Sequence, residues 1–256
     1  MSKRSARTQL VVAIGAAAAL VAAVTLTRPF YVEHVPVASQ LLAHTYADSV
    51  AMRAPWLHGP TELALKTPQF FRDRELFVMD LLRTGRVSQS RARSLADVAV
   101  REAYARKVPP ALVLGVMLTE NNTLKSSARS RVGAVGLMQV YPKHWRGALG
   151  QKFGTNVHAD STNLKYGIYI LGWLAGKATE MVEDPNAAWR KALLGYNGCV
   201  HGTITHNCHQ YPDAVRRQVE LAAKSSCPGG DFDRCVVQPM WLARRDTSTA
   251  AIPGDR

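Results

Sequence analysis

Little in this sequence opposes its positive charge: 19 acidic residues stand against 32 lysines and arginines, a net charge of +13 with histidine neutral. Cysteine is absent before Cys199, and the four present are Cys199, Cys208, Cys227 and Cys235. No lipid attached through an N-terminal cysteine is therefore expected. No segment repeats at a fixed period, which excludes solenoids. No run alternates apolar and polar residues like a half-buried strand, so the pattern leaves an all-α class. A recognisable nucleic-acid module is missing too, so the charge is no argument for nucleic acid as a partner.

What is present starts with a basic N-terminus. Lys3, Arg4 and Arg7 precede an apolar run from Leu10 to Leu26. As a helix that run is about 25 Å long, slightly short of a hydrocarbon core of roughly 30 Å. A basic start before an apolar core reads as an export signal. No clear A-x-A cleavage site follows, and the run exceeds a usual signal core. Residues 1–27 are therefore expected to be a signal-anchor with its basic end in the cytoplasm. The rest would then lie in the periplasm at the inner membrane; release after signal cleavage is the alternative.

Export also bears on the cysteines. An even number of them in an exported chain favours disulfides. Three pairings are open, and the local one, Cys199–Cys208 with Cys227–Cys235, is adopted as the expectation. Cys199, His201, His206, Cys208 and His209 could by type bind zinc. The oxidising compartment favours the disulfide, so no metal is expected, and no cofactor.

Residues 28–91 read as a helical N-terminal extension, with Leu41, Leu42, Tyr46 and Val50, then Leu76, Val78, Met79, Leu81 and Leu82, at helical spacing. Pro55, Gly59, Pro60 and Pro68 break it into pieces. Helices are expected over 88–107, 111–120, 163–181, 186–194 and 211–223, with a Ser-, Arg- and Gly-rich loop after Asn121-Asn122. A domain over 92–225 contains them. The disulfide-containing tail, 226–256, is expected to be largely unstructured beyond Cys235.

One carboxylate stands out. Glu120 closes a very apolar helix begun by Val108-Pro-Pro-Ala. Burial disfavours the ionised carboxylate, and the negative end of a helix dipole does the same. A glutamic acid kept protonated near neutral pH suits general acid catalysis of glycosidic cleavage. Taken alone, the position favours a solvent-facing Glu at a helix end. The next acidic residue along the chain is Asp160. A two-carboxylate mechanism therefore has no partner close in sequence; Glu180, Glu183 and Asp184 are more distant still.

The stretch after Glu120 narrows the choice. Gly133-Ala-Val-Gly136-Leu-Met-Gln139 is a glycine-punctuated turn able to bring backbone close to the acid. Ala128, Ser130, Gly133, Ala134, Gly136, Leu137, Met138 and Gln139 resemble the Ala-x-Ser-x-x-Gly-Ala-x-Gly-Leu-Met-Gln block of the soluble lytic transglycosylase family. That family cleaves peptidoglycan on a fold similar to goose-type lysozyme. Asn163-Leu-Lys-Tyr-Gly167 is similar to its second helix, Ala192 to Gly198 to its Ala-x-x-x-Tyr-Asn-Gly block, and Tyr211 with Val215 to its closing segment. Three features depart from the family pattern. Asn121 stands where the family has Ser, Leu124 where an aromatic is usual, and the spacing from Glu120 to Ala128 is one residue longer.

The resemblance implies an all-α, lysozyme-like catalytic domain with Glu120 as its single acid/base. It implies cleavage of the MurNAc-GlcNAc β-1,4 bond with a 1,6-anhydro end and no water consumed. Met138, Gln139, Tyr196 and Asn197 are implied to bind substrate, and Gly133, Gly136 and Asn121 to be structural. The partners implied are peptidoglycan strands, with cell-envelope machinery behind them. A lysozyme-like hydrolase and a low-turnover wall-binding scaffold are the competing readings.

Overall fold

A computed structural model describes residues 61–199 and 208–239. The expected anchor, the helical pattern at 41–50 and His201 and His206 lie outside the described residues. Among those described there is no strand, only isolated bridges at Arg129–Val135 and Val135–Val140. No helix among them is long and apolar enough to cross a membrane.

Among the described residues eight α-helices follow one another: α1 Thr61–Ala64, α2 Pro68–Arg83, α3 Gln89–Arg106, α4 Pro110–Glu120, α5 Pro142–Phe153, α6 Asp160–Met181, α7 Pro185–Tyr196 and α8 Tyr211–Ala222. Their starts are chemically specified. Thr67, Ser88 and Asp184 each cap a helix by accepting the N–H three residues on. Proline opens α2, α4, α5 and α7, where a missing N–H costs nothing. Helix α3 ends on Lys107 in the left-handed region, after which Val108-Pro109 turns the chain into α4.

Helix α4 is the centre. Pro110 to Leu118 are buried on every side, as an all-apolar helix requires. Helices α8, α3 and α2 pack around it, and α6 joins α3 to α7. The approach of α8 is closest at Gly115, where an added Cβ would stand 2.5 Å from Val219 Cγ2 and 3.1 Å from the Val215 carbonyl. Two buried carboxylates tie the outer helices. Asp80 of α2 accepts the N–H groups of Ser225 and Ser226 at 2.7 and 2.8 Å, fixing the chain after α8. Tyr104 of α3 donates to Asp73 of α2 at 2.6 Å, and burial lifts the Asp73 pKa to about 6.

Three local expectations change. Residues 142–153 form α5 where a loop was expected; only Leu149 and Gly150 of it are buried, so its periodic signal is weak. Met79 and Leu82 face solvent, and the buried side of α2 is carried by Phe70, Phe77, Val78 and Leu81. The chain past Cys235 is also helical over its described residues, 236–239. Asp233–Val237 is a π-helical turn, Val236 is fully buried, and its carbonyl accepts the Trp189 indole N–H at 3.0 Å. The structure joins Cys199 to Cys208 and Cys227 to Cys235.

Candidate active site

Glu120 is the last residue of α4, at the point where the buried helix reaches half-exposed ground. Burial raises its pKa to about 7, and a hydrogen bond from Tyr211 pulls the other way. That bond runs from the Tyr211 hydroxyl to Glu120 Oε1 over 2.6 Å, between residues 91 apart in sequence. No carboxylate among the described residues contributes to the shift. At neutral pH the group is thus poised between acid and base, the condition for moving a proton in both directions.

The backbone after Glu120 is held by Asn121 and Asn163. The Asn121 amide donates to the Lys125 and Gly136 carbonyls at 2.8 and 3.2 Å, and its own carbonyl oxygen accepts from Thr123. The end of α4 is thereby pinned to the glycine turn. Asn163, fully buried at the start of α6, accepts the Met138 N–H at 2.8 Å. It donates to the Val135 and Val157 carbonyls at 2.9 and 3.0 Å. Its amide therefore satisfies three backbone groups that would otherwise be buried without partners.

Glycine is needed at two places in this turn. Gly133 and Gly136 hold φ of 93° and 80°, in the region that side chains rarely enter. A Cβ on Gly136 would also run into the Asn163 amide. Gln139 takes a φ of 44° without being glycine, and its side-chain amide bonds the Gly136 carbonyl at 2.9 Å.

The expected substrate-contacting residues fall into different positions. Met138 is fully enclosed and its side chain lies against Gly167, so that side chain does not line an open groove. Its carbonyl instead accepts the Tyr196 hydroxyl at 2.9 Å. Gln139 is half-buried, with its amide nitrogen committed to the turn. Burial raises the Tyr196 phenol pKa well above 10, and the nearby Glu120 carboxylate adds to the shift. Asn197 is half-buried at the C-terminal cap of α7, its N–H bonded to Leu193 O and Gly195 O.

Tyr211 and Asn163 had not been singled out as site residues. Tyr211 opens α8, and burial and the neighbouring Glu120 raise its phenol pKa well above 10. The phenol therefore stays a donor to the carboxylate at any working pH. The signal for Asn163 was a polar residue on the buried side of an otherwise apolar helix. For Tyr211 nothing local pointed at Glu120.

The arrangement comprises one carboxyl, two phenols beside it and a turn whose buried backbone is tied down by Asn121 and Asn163. Residues 97–212 match the family model described as the transglycosylase SLT domain. That span includes every residue of the site, from Glu120 through Asn163 and Tyr196 to Tyr211. The chain has no match among curated proteins or solved structures.

Proposed function

Since residues 97–212 form a domain of the SLT transglycosylase family, we propose that the protein is a peptidoglycan lytic transglycosylase with Glu120 as its single acid/base. The observation that carries this reading is the Glu120 carboxyl itself, with a pKa of about 7 and held by Tyr211 at 2.6 Å.

In this mechanism the protonated Glu120 donates to the glycosidic oxygen, and the bond from that oxygen to the muramic acid C1 breaks. The substrate's own N-acetyl group supports the cationic centre, so no second carboxylate is required. Glu120, now ionised, removes the proton from the C6 hydroxyl of the same sugar. The C6 oxygen bonds C1 and closes a 1,6-anhydro ring, which regenerates the acid. Tyr211 orients the carboxyl through both states, because its hydroxyl can donate to either. Tyr196 orders the backbone at Met138 and stands beside the developing charge. In the cell, the apolar run at 10–26 would hold this domain at the periplasmic face of the inner membrane. Alkaline carbonate washing of membranes separates that anchored form from a cleaved, released one.

The test is digestion of purified peptidoglycan by the wild type and by Glu120→Gln, with the muropeptide ends identified by mass spectrometry. Anhydro-muramic ends from the wild type alone are expected. Reducing ends would replace the reading with a hydrolase, and wall binding without products from either protein would leave a scaffold.

A further inference from the structure

Two aromatic pairs join α5 to α6. Trp145 meets Trp173 at 6.1 Å with the rings 72° apart, and Phe153 meets Tyr169 at 5.7 Å with the rings 65° apart. Tyr169 and Trp173 are one helical turn apart on α6, so they share a face of it. Tyr141 and His144, at the start of α5, carry the band on from Trp145, with 6.3 and 6.2 Å between successive rings. Packing does not cover this band. Trp173 is 47% exposed, Tyr141 is 38% exposed and His144 is open to solvent. Large aromatic rings gathered at a surface mark a place of contact.

The charge beside the band is of one sign. Lys143 and Arg146 stand at one end, exposed and three residues apart on α5. At the other end Arg106 and Lys152 both lie over the rings of Phe153 and Tyr169, 4.9 to 5.6 Å from the centroids. Glu102 is 3.6 Å from Arg106. Burial raises the Glu102 pKa, and Arg106, Lys165, Lys152 and Arg101 oppose the rise, so four cations face one carboxylate. Among the described residues no salt bridge engages Lys143, Arg146 or Lys152, whereas Arg91, Arg190 and Arg216 each hold a carboxylate.

Half-wet aromatic rings beside unpaired cations complement a bilayer with anionic headgroups. Tryptophan and tyrosine settle at headgroup level because one edge is polar and the rest apolar. Lysine and arginine next to them are drawn to the negative surface. A glycan strand fits the band less well. Sugars stack on flat ring faces, and these successive rings are turned from one another by 40° to 74°.

We propose that the edge of α5 and α6 carrying Tyr141, Trp145 and Trp173 docks on an anionic membrane surface, with Lys143, Arg146 and Lys152 at the lipid phosphates. This contact belongs to the folded domain. It requires neither the chemistry of Glu120 nor insertion of the apolar run at 10–26.

The test uses the full chain reconstituted into phosphatidylcholine vesicles with and without phosphatidylglycerol. Lipid brominated in the upper acyl chain quenches the indoles that reach it. The apolar run would enter either vesicle, so dependence on phosphatidylglycerol is what reports the band. Trp173→Phe removes the exposed indole, and Lys143→Glu/Arg146→Glu reverses the charge, with thermal unfolding as the check on folding. Quenching of the wild type is expected to increase with phosphatidylglycerol and to lose that increase at high salt. Both variants are expected to lose at least half of it. Equal quenching in the two vesicles overturns the proposal, and this comparison is decisive even if a variant fails to fold. An increase that both folded variants retain overturns it too. So does loss of binding to stem-free glycan strands in Trp173→Phe without any effect of phosphatidylglycerol, which would assign the band to sugars.

Discussion

The site at its smallest is one carboxyl caught between two opposing influences. Burial holds the proton on Glu120, and the Tyr211 hydroxyl favours its loss by bonding the ionised form. Removing only that hydroxyl leaves burial unopposed. Tyr211→Phe should therefore move the alkaline limb of the kcat/KM profile to higher pH, by about one unit for a charge-assisted bond of roughly 1.5 kcal/mol. The rate at the optimum should fall as well, because the carboxyl loses its orientation. A profile measured from pH 4 to 9 decides this; an unmoved limb, or one moved to lower pH, would sink the assignment. That Glu120 ends an apolar helix was legible in the sequence, because that much is visible in one dimension. Its partner was not. The 91 residues between them carry no local signature of the contact, and a tyrosine at a helix start reads as ordinary packing.

Among the elements, the meeting of α4 and α8 decides where Tyr211 stands. Gly115 lets α8 close in, and Gly115→Ala would press a Cβ against Val219 and the Val215 carbonyl. Alanine gains about 1 kcal/mol of helix propensity over glycine, but overpacking against backbone costs about 1–3 kcal/mol. A lower unfolding midpoint is expected, with the alkaline limb displaced in the same direction as for Tyr211→Phe. Gly176→Ala is the control: this exposed glycine of α6 has open space around it, so propensity alone acts and the midpoint should rise. If both variants behave alike, close approach at Gly115 is not what seats α8. The elements differed in how readily the sequence disclosed them. Helices α3, α4, α6 and α8 were visible because apolar residues recur there at helical spacing, with a proline start at α4. Helix α5 was not, since Lys143, His144, Arg146 and Lys152 leave it with almost no buried stripe. The turn at Asp233–Val237 was hidden because its order comes from Trp189, on a helix far back in the chain.

For the whole molecule, Glu120 and Asp73 make stability depend on pH in an uncommon direction. Both carboxyls have folded pKa values, about 7 and about 6, above their ordinary values of 4.5 and 3.8. The folded state binds their protons more tightly than the unfolded chain does, so their contribution is complete below about pH 4. It is lost as pH rises through the folded values, by up to about 3 kcal/mol for each group. Unfolding midpoints taken between pH 4 and 8 should thus fall more steeply for the wild type than for Glu120→Gln. Parallel curves would show that Glu120 is not held protonated by the fold.

The bond between Tyr211 and Glu120 also sets an order in time. A chain still being made, or one clipped before α8, has Glu120 but not the Tyr211 that bonds it. Such a fragment keeps the acid and lacks the hydroxyl that aims it. If the domain cuts the wall as proposed, it is armed only once α8 has closed over Gly115.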